Sequence, residues 1–281
     1  MRYLIAITLI GAAFLLGCMN IERAGADQAT VRAEQKKDGA LNERDEFRQT
    51  YELQPGARVE IEGINGPVTI ETGDNQLAEV HIIRAAASRA TLEDNQIIVE
   101  QTPTRLSLRG ERKTKSVVSG IFRSITGGMR EEIRLKLPRR IELSVIGVNG
   151  AVTVGEVSGP VALEGINGAV TLTGAAERLN VTGVNGKVVL ALSKVEPNGT
   201  HLDGINGAVE LNFAANANAE IVADGVNGGV TNNSPDITLR KEEDNPSAWR
   251  AQIGTGGPAI SLEGVNGSIK LSRSGAASKS E

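Results

Sequence analysis

Cysteine occurs once, histidine twice and aromatic rings seven times in a chain of 281 residues, and each scarcity closes off a class of function. One cysteine allows no intrachain disulfide and no cysteine-based zinc site. Two histidines, His81 and His201, leave little material for acid–base or metal chemistry. Of the rings, Tyr3 and Phe14 fall in a segment read below as removed. Phe47, Tyr51, Phe122, Phe213 and Trp249 remain, too few to line a stacking groove for single-stranded nucleic acid or a long sugar cleft. The net charge of −4 supplies no overall basic field for a polyanion, so nucleic acid is not an expected partner. No phosphate-cradling loop follows a strand and opens a helix, and no cofactor or metal is expected. What is plentiful is glycine, at 33 residues, within a composition 40% hydrophobic. That is enough apolar material for a core and excludes wholesale disorder. It suits a repetitive β structure packed by small β-branched side chains.

The N-terminus reads as an address. Met1-Arg2 gives a short positive start, and Tyr3 to Leu16 is a mostly apolar run of 14 residues. A membrane-spanning helix needs about 20 residues, so the run fits a signal-peptide core. Leu15-Leu16-Gly17-Cys18 follows at once and resembles the bacterial lipobox, whose cysteine is lipidated and becomes the first residue. The competing reading is an ordinary secreted protein with an idle cysteine. Met19, rather than Asp, follows Cys18. In a Gram-negative envelope the lipoprotein sorting rule then implies the outer membrane, on its periplasmic or surface face. Signal peptide 1–17 and a lipidated, polar tether 18–45 are therefore expected. About 25 flexible residues span roughly 25–30 Å. The last residues, 272–281, are small and polar and read as a disordered tail.

Between these ends the tetrapeptide Gly-Ile/Val-Asn-Gly occurs seven times, at Asn65, Asn149, Asn167, Asn185, Asn206, Asn227 and Asn266. From Asn149 the steps are 18, 18, 21, 21 and 39 residues, the last close to two periods. Apolar residues alternate before the motif (Val161, Leu163) and after it (Val170, Leu172), the pattern of a strand with one buried face. Asn-Gly is the pair that best tolerates left-handed backbone at a turn. Two arrangements fit: two-residue hairpins in an antiparallel sheet, or one solenoid coil per period with equivalent residues about 4.8 Å apart. Hairpins do not require the same asparagine in every unit. Stacked coils reward it, because amides at successive levels can bond as a ladder. The expectation is an all-β, single-stranded β-helix over residues 46–271, with coils of about 18–21 residues.

The strand repeats, together with the start Tyr51-Glu-Leu-Gln-Pro-Gly-Ala-Arg-Val-Glu-Ile-Glu-Gly-Ile-Asn-Gly66 and the mid-domain Ile133-Arg-Leu-Lys-Leu-Pro138, resemble the bacterial putative-adhesin families of β-strand repeats. One of those families is nicknamed for a Gly-Ile-Asn head domain. The resemblance runs from about Glu46 to Leu271. It implies a right-handed β-helix on the cell envelope.

Few residues invite chemistry. The position before the motif is acidic at Glu62, Glu164, Asp203, Asp224 and Glu263, against Ile146 and Thr182. A calcium site needs several oxygens converging on one point, and the interrupted column reads as a solvated face. His201 lies two residues from Asp203 with Thr200 and Ser193 nearby, but no nucleophile is evident, and His81 sits in an ordinary alternating run. Asn198-Gly-Thr and Asn180-Val-Thr match a glycosylation sequon that a bacterial lipoprotein signal makes irrelevant.

The stretch from Arg105 to Arg140 differs, carrying 11 Lys/Arg against 3 Asp/Glu. Asn65 and Asn149 stand 84 positions apart with no motif between them. Residues 110–130 read as a basic loop with an apolar centre at Val117, Val118, Ile121 and Phe122. Arg112, Lys113, Lys115, Arg123 and Arg130 are its candidate contacts to anionic headgroups, lipopolysaccharide phosphates or an acidic polymer. A loop packed as a cap over one end of the coil is the plainer alternative.

The sequence therefore points to a non-enzymatic, lipid-anchored envelope protein acting as a binding or structural module, with an envelope glycan, lipopolysaccharide or a protein as partner. A polysaccharide-processing β-helix enzyme is the rival, disfavoured because acids are spread along one column and basic residues are nearly absent from the repeats. A regulatory lipoprotein acting through a protein partner is the third reading.

Overall fold

The computed structural model describes residues 41–113, 128–174 and 176–274. Cys18 and the rest of the N-terminal segment lie outside the described residues, as do Lys115, Arg123 and the last seven residues of the tail.

Among the described residues the fold is all-β, two large mixed sheets of ten and eleven strands with one short helix, and neither sheet closes on itself. Each motif copy sits between two strands that belong to different sheets, and the pair with its motif is here called a tier. The strands before the motif are β2 (Ala57–Glu62), β8 (Ile141–Ile146), β10 (Val161–Glu164), β12 (Leu179–Val184), β14 (Thr200–Ile205), β16 (Ala219–Asp224) and β20 (Ala259–Val265). Those after it are β3 (Val68–Gly73), β9 (Val152–Val154), β11 (Val170–Gly174), β13 (Val188–Leu192), β15 (Val209–Phe213), β17 (Val230–Asn232) and β21 (Ile269–Arg273).

Within each set all pairings are parallel and in register. In the eleven-stranded sheet Ile61, Val145, Leu163, Val181, Leu202, Leu262 and Ala223 form one inward column, and all are buried. Facing it, Ile70, Val154, Leu172, Leu190, Leu211 and Leu271 form another. Truncating one such leucine to alanine costs about 2–5 kcal/mol. This second column ends on the polar Asn232, beside Leu271, whose amide donates to the Ile237 carbonyl. Narrow, repeated aliphatic packing is why so few rings suffice.

Tier order departs from chain order. The 39-residue step does not lead two periods onward. After β16 and β17 the chain forms an antiparallel pair, β18 (Ile237–Lys241) and β19 (Trp249–Ile253), along the edge of β16. It then returns, and β20 inserts between β14 and β16 while β21 inserts between β15 and β17. A parallel slot between two tiers accepts any strand with the right alternation, wherever it lies in the chain.

β1 and much of the chain between the first two motif copies build the opposite end. β4 (Leu77–Ala86) lies antiparallel between β1 (Glu43–Glu52) and β7 (Met129–Pro138), and β7 runs parallel to β3. β5 (Asn95–Thr102) and β6 (Arg105–Arg112) form a hairpin whose second strand runs parallel to β2. The helix α1 (Arg89–Asp94), capped by the Ser88 hydroxyl accepting from Thr91 N–H, joins the two sheets.

Three boundaries expected from sequence shift. The strand region starts at Glu43, inside the expected tether, because β1 pairs with β4 along its whole length. Gly110 to Arg112 complete β6 and Met129-Arg130 open β7, so the stretch read as loop is strand at both ends. Ser272 and Arg273 belong to β21 rather than the tail.

The two glycines of the motif do different work from that expected of Asn-Gly. The left-handed residue is the first glycine: Gly63, Gly147, Gly165, Gly183, Gly204, Gly225 and Gly264 have φ between 62° and 68°. The second glycine makes room instead. A Cβ on Gly186 would lie 2.4 Å from the Gly168 carbonyl oxygen, and one on Gly207 2.2 Å from that of Gly186. The main chain of each tier rests directly on the tier below it at this corner.

Candidate functional site

The motif corner is the most regular surface feature of the molecule. At each tier the asparagine N–H donates to the carbonyl of the residue before the asparagine one tier below: Asn149 to Ile64, Asn167 to Val148 and Asn185 to Ile166, each at 2.8 Å. Asn206, Asn266 and Asn227 continue the same series to Val184, Ile205 and Val265. The side chains repeat it. Asn149 Nδ2 donates to Asn65 Oδ1 at 2.9 Å, Asn167 to Asn149 at 2.9 Å, Asn185 to Asn167 at 3.1 Å and Asn206 to Asn185 at 3.0 Å. Asn266 then donates to Asn206 at 3.1 Å and Asn227 to Asn266 at 3.0 Å. All seven asparagines share one exposed, unbroken line, in the spatial order 65, 149, 167, 185, 206, 266, 227. Because the amides face water, each bond is worth the lower part of the usual 0.5–1.5 kcal/mol.

The line needs a different partner at its first member, where no tier lies below. There the Asn65 N–H donates to Glu131 Oε2 at 2.7 Å, so a carboxylate takes the carbonyl's place. Glu131 is 5% exposed. Burial pushes its carboxyl above the usual carboxylate range; the Asn65 N–H and the charges of Arg84 and Arg112 act the other way without cancelling it. Asp45, Arg84 and Glu131 form one row across β1, β4 and β7. Arg84 pairs with Asp45 and donates to the Leu92 and Asn95 carbonyls at the end of α1. This polar row ties the terminal strands to the stack. Glu131 lies outside every repeat, and only its place within the Ile133 strand register identifies it.

The acidic positions fall into one outward column, in the order Glu62, Ile146, Glu164, Thr182, Asp203, Glu263, Asp224. Tier order thus brings Asp203, Glu263 and Asp224 onto three adjacent strands, which chain order conceals. Asp224 accepts from Asn245 Nδ2 at 3.1 Å and from the Gly225 N–H at 2.8 Å. Among the described residues no group of three acidic, histidine or cysteine side chains is arranged to hold a metal ion.

His201 lies beside Asn180 and Ser261 on neighbouring strands, two residues from Asp203. His81 Nε2 meets Glu46 Oε1 at 2.7 Å across β1 and β4. Of the basic candidates, Arg112 Nε donates to Asn95 Oδ1 at 3.0 Å, Lys113 N–H donates to the Asp94 carbonyl, and Arg130 stands opposite Ala85. Glu43, Ala86 and Met129 share a row. The start of β1 and the return of the chain after the basic stretch therefore lie at the same end of the stack.

At the opposite corner of that end is a cleft of about 410 Å³ lined by residues including Leu53, Pro55, Asn75, Gln76 and Arg140. Arg139, on its wall, is held by Glu156 at 3.0 Å and Asp74 at 3.5 Å.

No protein-family model matches the chain, and no curated protein matches it. Among solved structures it is similar to a putative cell adhesion protein from Clostridium sporogenes, at 14% identity and a TM-score of 0.42, over 82% of this chain and 100% of that one. It is also similar to a putative adhesin from Bacteroides fragilis, at 13% identity and a TM-score of 0.39, over 82% of this chain and 97% of that one. A putative lipid binding protein from Parabacteroides distasonis shares 12% identity with a TM-score of 0.29, over 80% of this chain and 96% of that one.

Proposed function

We propose that the chain is a non-enzymatic, lipid-anchored module of the cell envelope, built as a β-solenoid and binding through its repeating outer faces. The observation that carries this reading is the register of the tiers. Seven motif corners and the strands on either side of them repeat outward positions at every level, about 4.8 Å apart. A face of that kind matches a partner that is itself periodic, such as an envelope polysaccharide.

The anchor in this reading is Cys18, with several acyl chains holding the protein to the membrane at about 0.8 kcal/mol per buried CH₂. Met19 directs it to the outer membrane in a Gram-negative cell. Arg112, Lys113, Lys115, Arg123 and Arg130 supply contact with an anionic surface. Supporting this is the shared location of the start of β1 and the return of the chain into β7. Tether and basic stretch then meet the membrane together.

The test is fractionation combined with vesicle co-sedimentation. Cys18→Ser moves the protein to the soluble fraction. The soluble chain then sediments with phosphatidylglycerol vesicles but not with phosphatidylcholine vesicles, and neutralising Arg112, Lys113 and Lys115 weakens that sedimentation. A Cys18→Ser protein that stays with membranes overturns the anchor. Unchanged sedimentation of the neutralised protein overturns the basic contact.

A further inference from the structure

Among the described residues the sheets end in four edge strands, and three of them are guarded against further pairing. β1 carries six charged residues in ten, Glu43, Arg44, Asp45, Glu46, Arg48 and Glu52. β17 is three residues long with Pro235 soon after, and β18 ends in Arg240-Lys241. Charge, shortness and proline are the usual means by which an edge is kept from pairing. The fourth, β5, is the least protected: it is neither short nor heavily charged, and although Pro103 follows its last residue, Thr102, no proline lies within it. It is eight residues, Asn-Gln-Ile-Ile-Val-Glu-Gln-Thr, with Glu100 its sole charge, and among the described residues it is bonded to β6 on one side only. Ile97 and Val99 face inward yet are only partly buried against the core, so the core's apolar surface continues to this edge.

From this we infer that β5 is a pairing edge, and that its partner is β5 of a second copy of this chain, related by a two-fold axis normal to the sheet. Such an axis keeps both inner faces on the same side, so residues of equal parity must stand opposite. Centring the pair on Ile98 sets Ile98 against its twin, Ile97 against Val99, Gln96 against Glu100 and Asn95 against Gln101. Apolar then meets apolar on both faces, and polar meets polar at both ends. Centring it on Val99 sets Ile98 against Glu100 and Ile97 against Gln101, burying apolar against polar. The sequence of β5 is therefore self-complementary in one register. Its two Glu100 carboxylates are offset by four positions, about 14 Å at 3.4 Å per residue, which is beyond the Debye length of about 8 Å at physiological salt. The pairing extends the eleven-stranded sheet through the axis into the second copy.

The experiment uses the mature chain from residue 18 with Cys18→Ser, so that any introduced cysteine is the only thiol. Light scattering at tens of micromolar reads a dimer, and Ile98→Lys, which places two ammonium groups face to face, reads a monomer with an unchanged circular dichroism spectrum. Ile98→Cys crosslinks under mild oxidation, since opposed Cα atoms of an antiparallel pair lie about 4.5–5.5 Å apart, within the disulfide range. Thr102→Cys does not, because its twin lies about 27 Å away across the axis. A monomer at these concentrations overturns the proposal. So does a dimer that persists in Ile98→Lys, or Thr102→Cys crosslinking as readily as Ile98→Cys.

Discussion

Two alanine substitutions three residues apart separate the two roles of glycine in the motif. Gly183 has φ +64°, and a Cβ there would meet nothing nearer than 3.7 Å. Gly183→Ala therefore pays for left-handed backbone alone, about 1–2 kcal/mol. For a domain of this size each kcal/mol lowers Tm by about 2–4 °C, so the loss is about 2–8 °C. Gly186 has no such φ, but its Cβ would sit 2.4 Å from the Gly168 carbonyl oxygen and 2.6 Å from its carbon. Those are backbone atoms, so the tiers must part. Overpacking costs about 1–3 kcal/mol, and loosening the neighbouring 2.8 Å bond from Asn185 N–H to Ile166 adds about 1 kcal/mol. Gly186→Ala thus costs about 2–4 kcal/mol, a Tm loss of about 4–16 °C. Asparagine tolerates left-handed backbone, so Gly183→Asn recovers part of the Gly183→Ala loss, whereas Gly186→Asn recovers none. Thermal melts of the four variants in the Cys18→Ser mature chain measure the order. Gly186→Ala as mild as Gly183→Ala refutes the reasoning.

The asparagine line predicts a positional effect: Asn185→Ala removes two side-chain bonds and costs about 1–2 kcal/mol, while the terminal Asn227→Ala removes one and costs about half as much, by denaturant unfolding. Equal losses contradict the line. Leu202→Ala, in the middle of a buried column, costs about 2–5 kcal/mol, and an unchanged melt would contradict the packing. Glu131 predicts a pH dependence. Its carboxyl is raised in the folded state, so the folded protein holds its proton over a pH range in which the unfolded chain has lost it. That contribution is present below the unfolded pKa and is lost as pH rises through the folded one. Glu131→Gln keeps an acceptor for Asn65 N–H without the titration, so the melting difference, variant minus parent, grows in the variant's favour from about pH 4 to pH 7. A constant or shrinking difference counts against it.

Much of the architecture was legible because its signals are local. Val161, Leu163, Val170 and Leu172 announce strands on both sides of one motif by simple alternation, and the recurring asparagine announces stacking. Three features escaped for definite reasons. The place of β20 and β21 was hidden because parallel pairing in register is blind to chain order: Val265 fits beside Ile205 as well as Val226 would. The left-handed residue is Gly183 rather than the Asn185-Gly186 pair because the bend precedes the asparagine, leaving Asn185 N–H free to bond to the tier below. Glu131 was invisible because a carboxylate that ends a series shares no pattern with its members. The adjacency of Asp203, Glu263 and Asp224 follows only from the true tier order.

That order underlies both the repeating faces and the asparagine line, and paired cysteines test it directly. In the Cys18→Ser chain, Asn206→Cys with Asn266→Cys joins positions whose amides now bond at 3.1 Å, and these cysteines form an intrachain disulfide on mild oxidation. Asn206→Cys with Asn227→Cys stays reduced, because the Asn266 tier lies between them. A disulfide in the second pair and none in the first would mean that the tiers follow chain order, and the stack described here would be wrong.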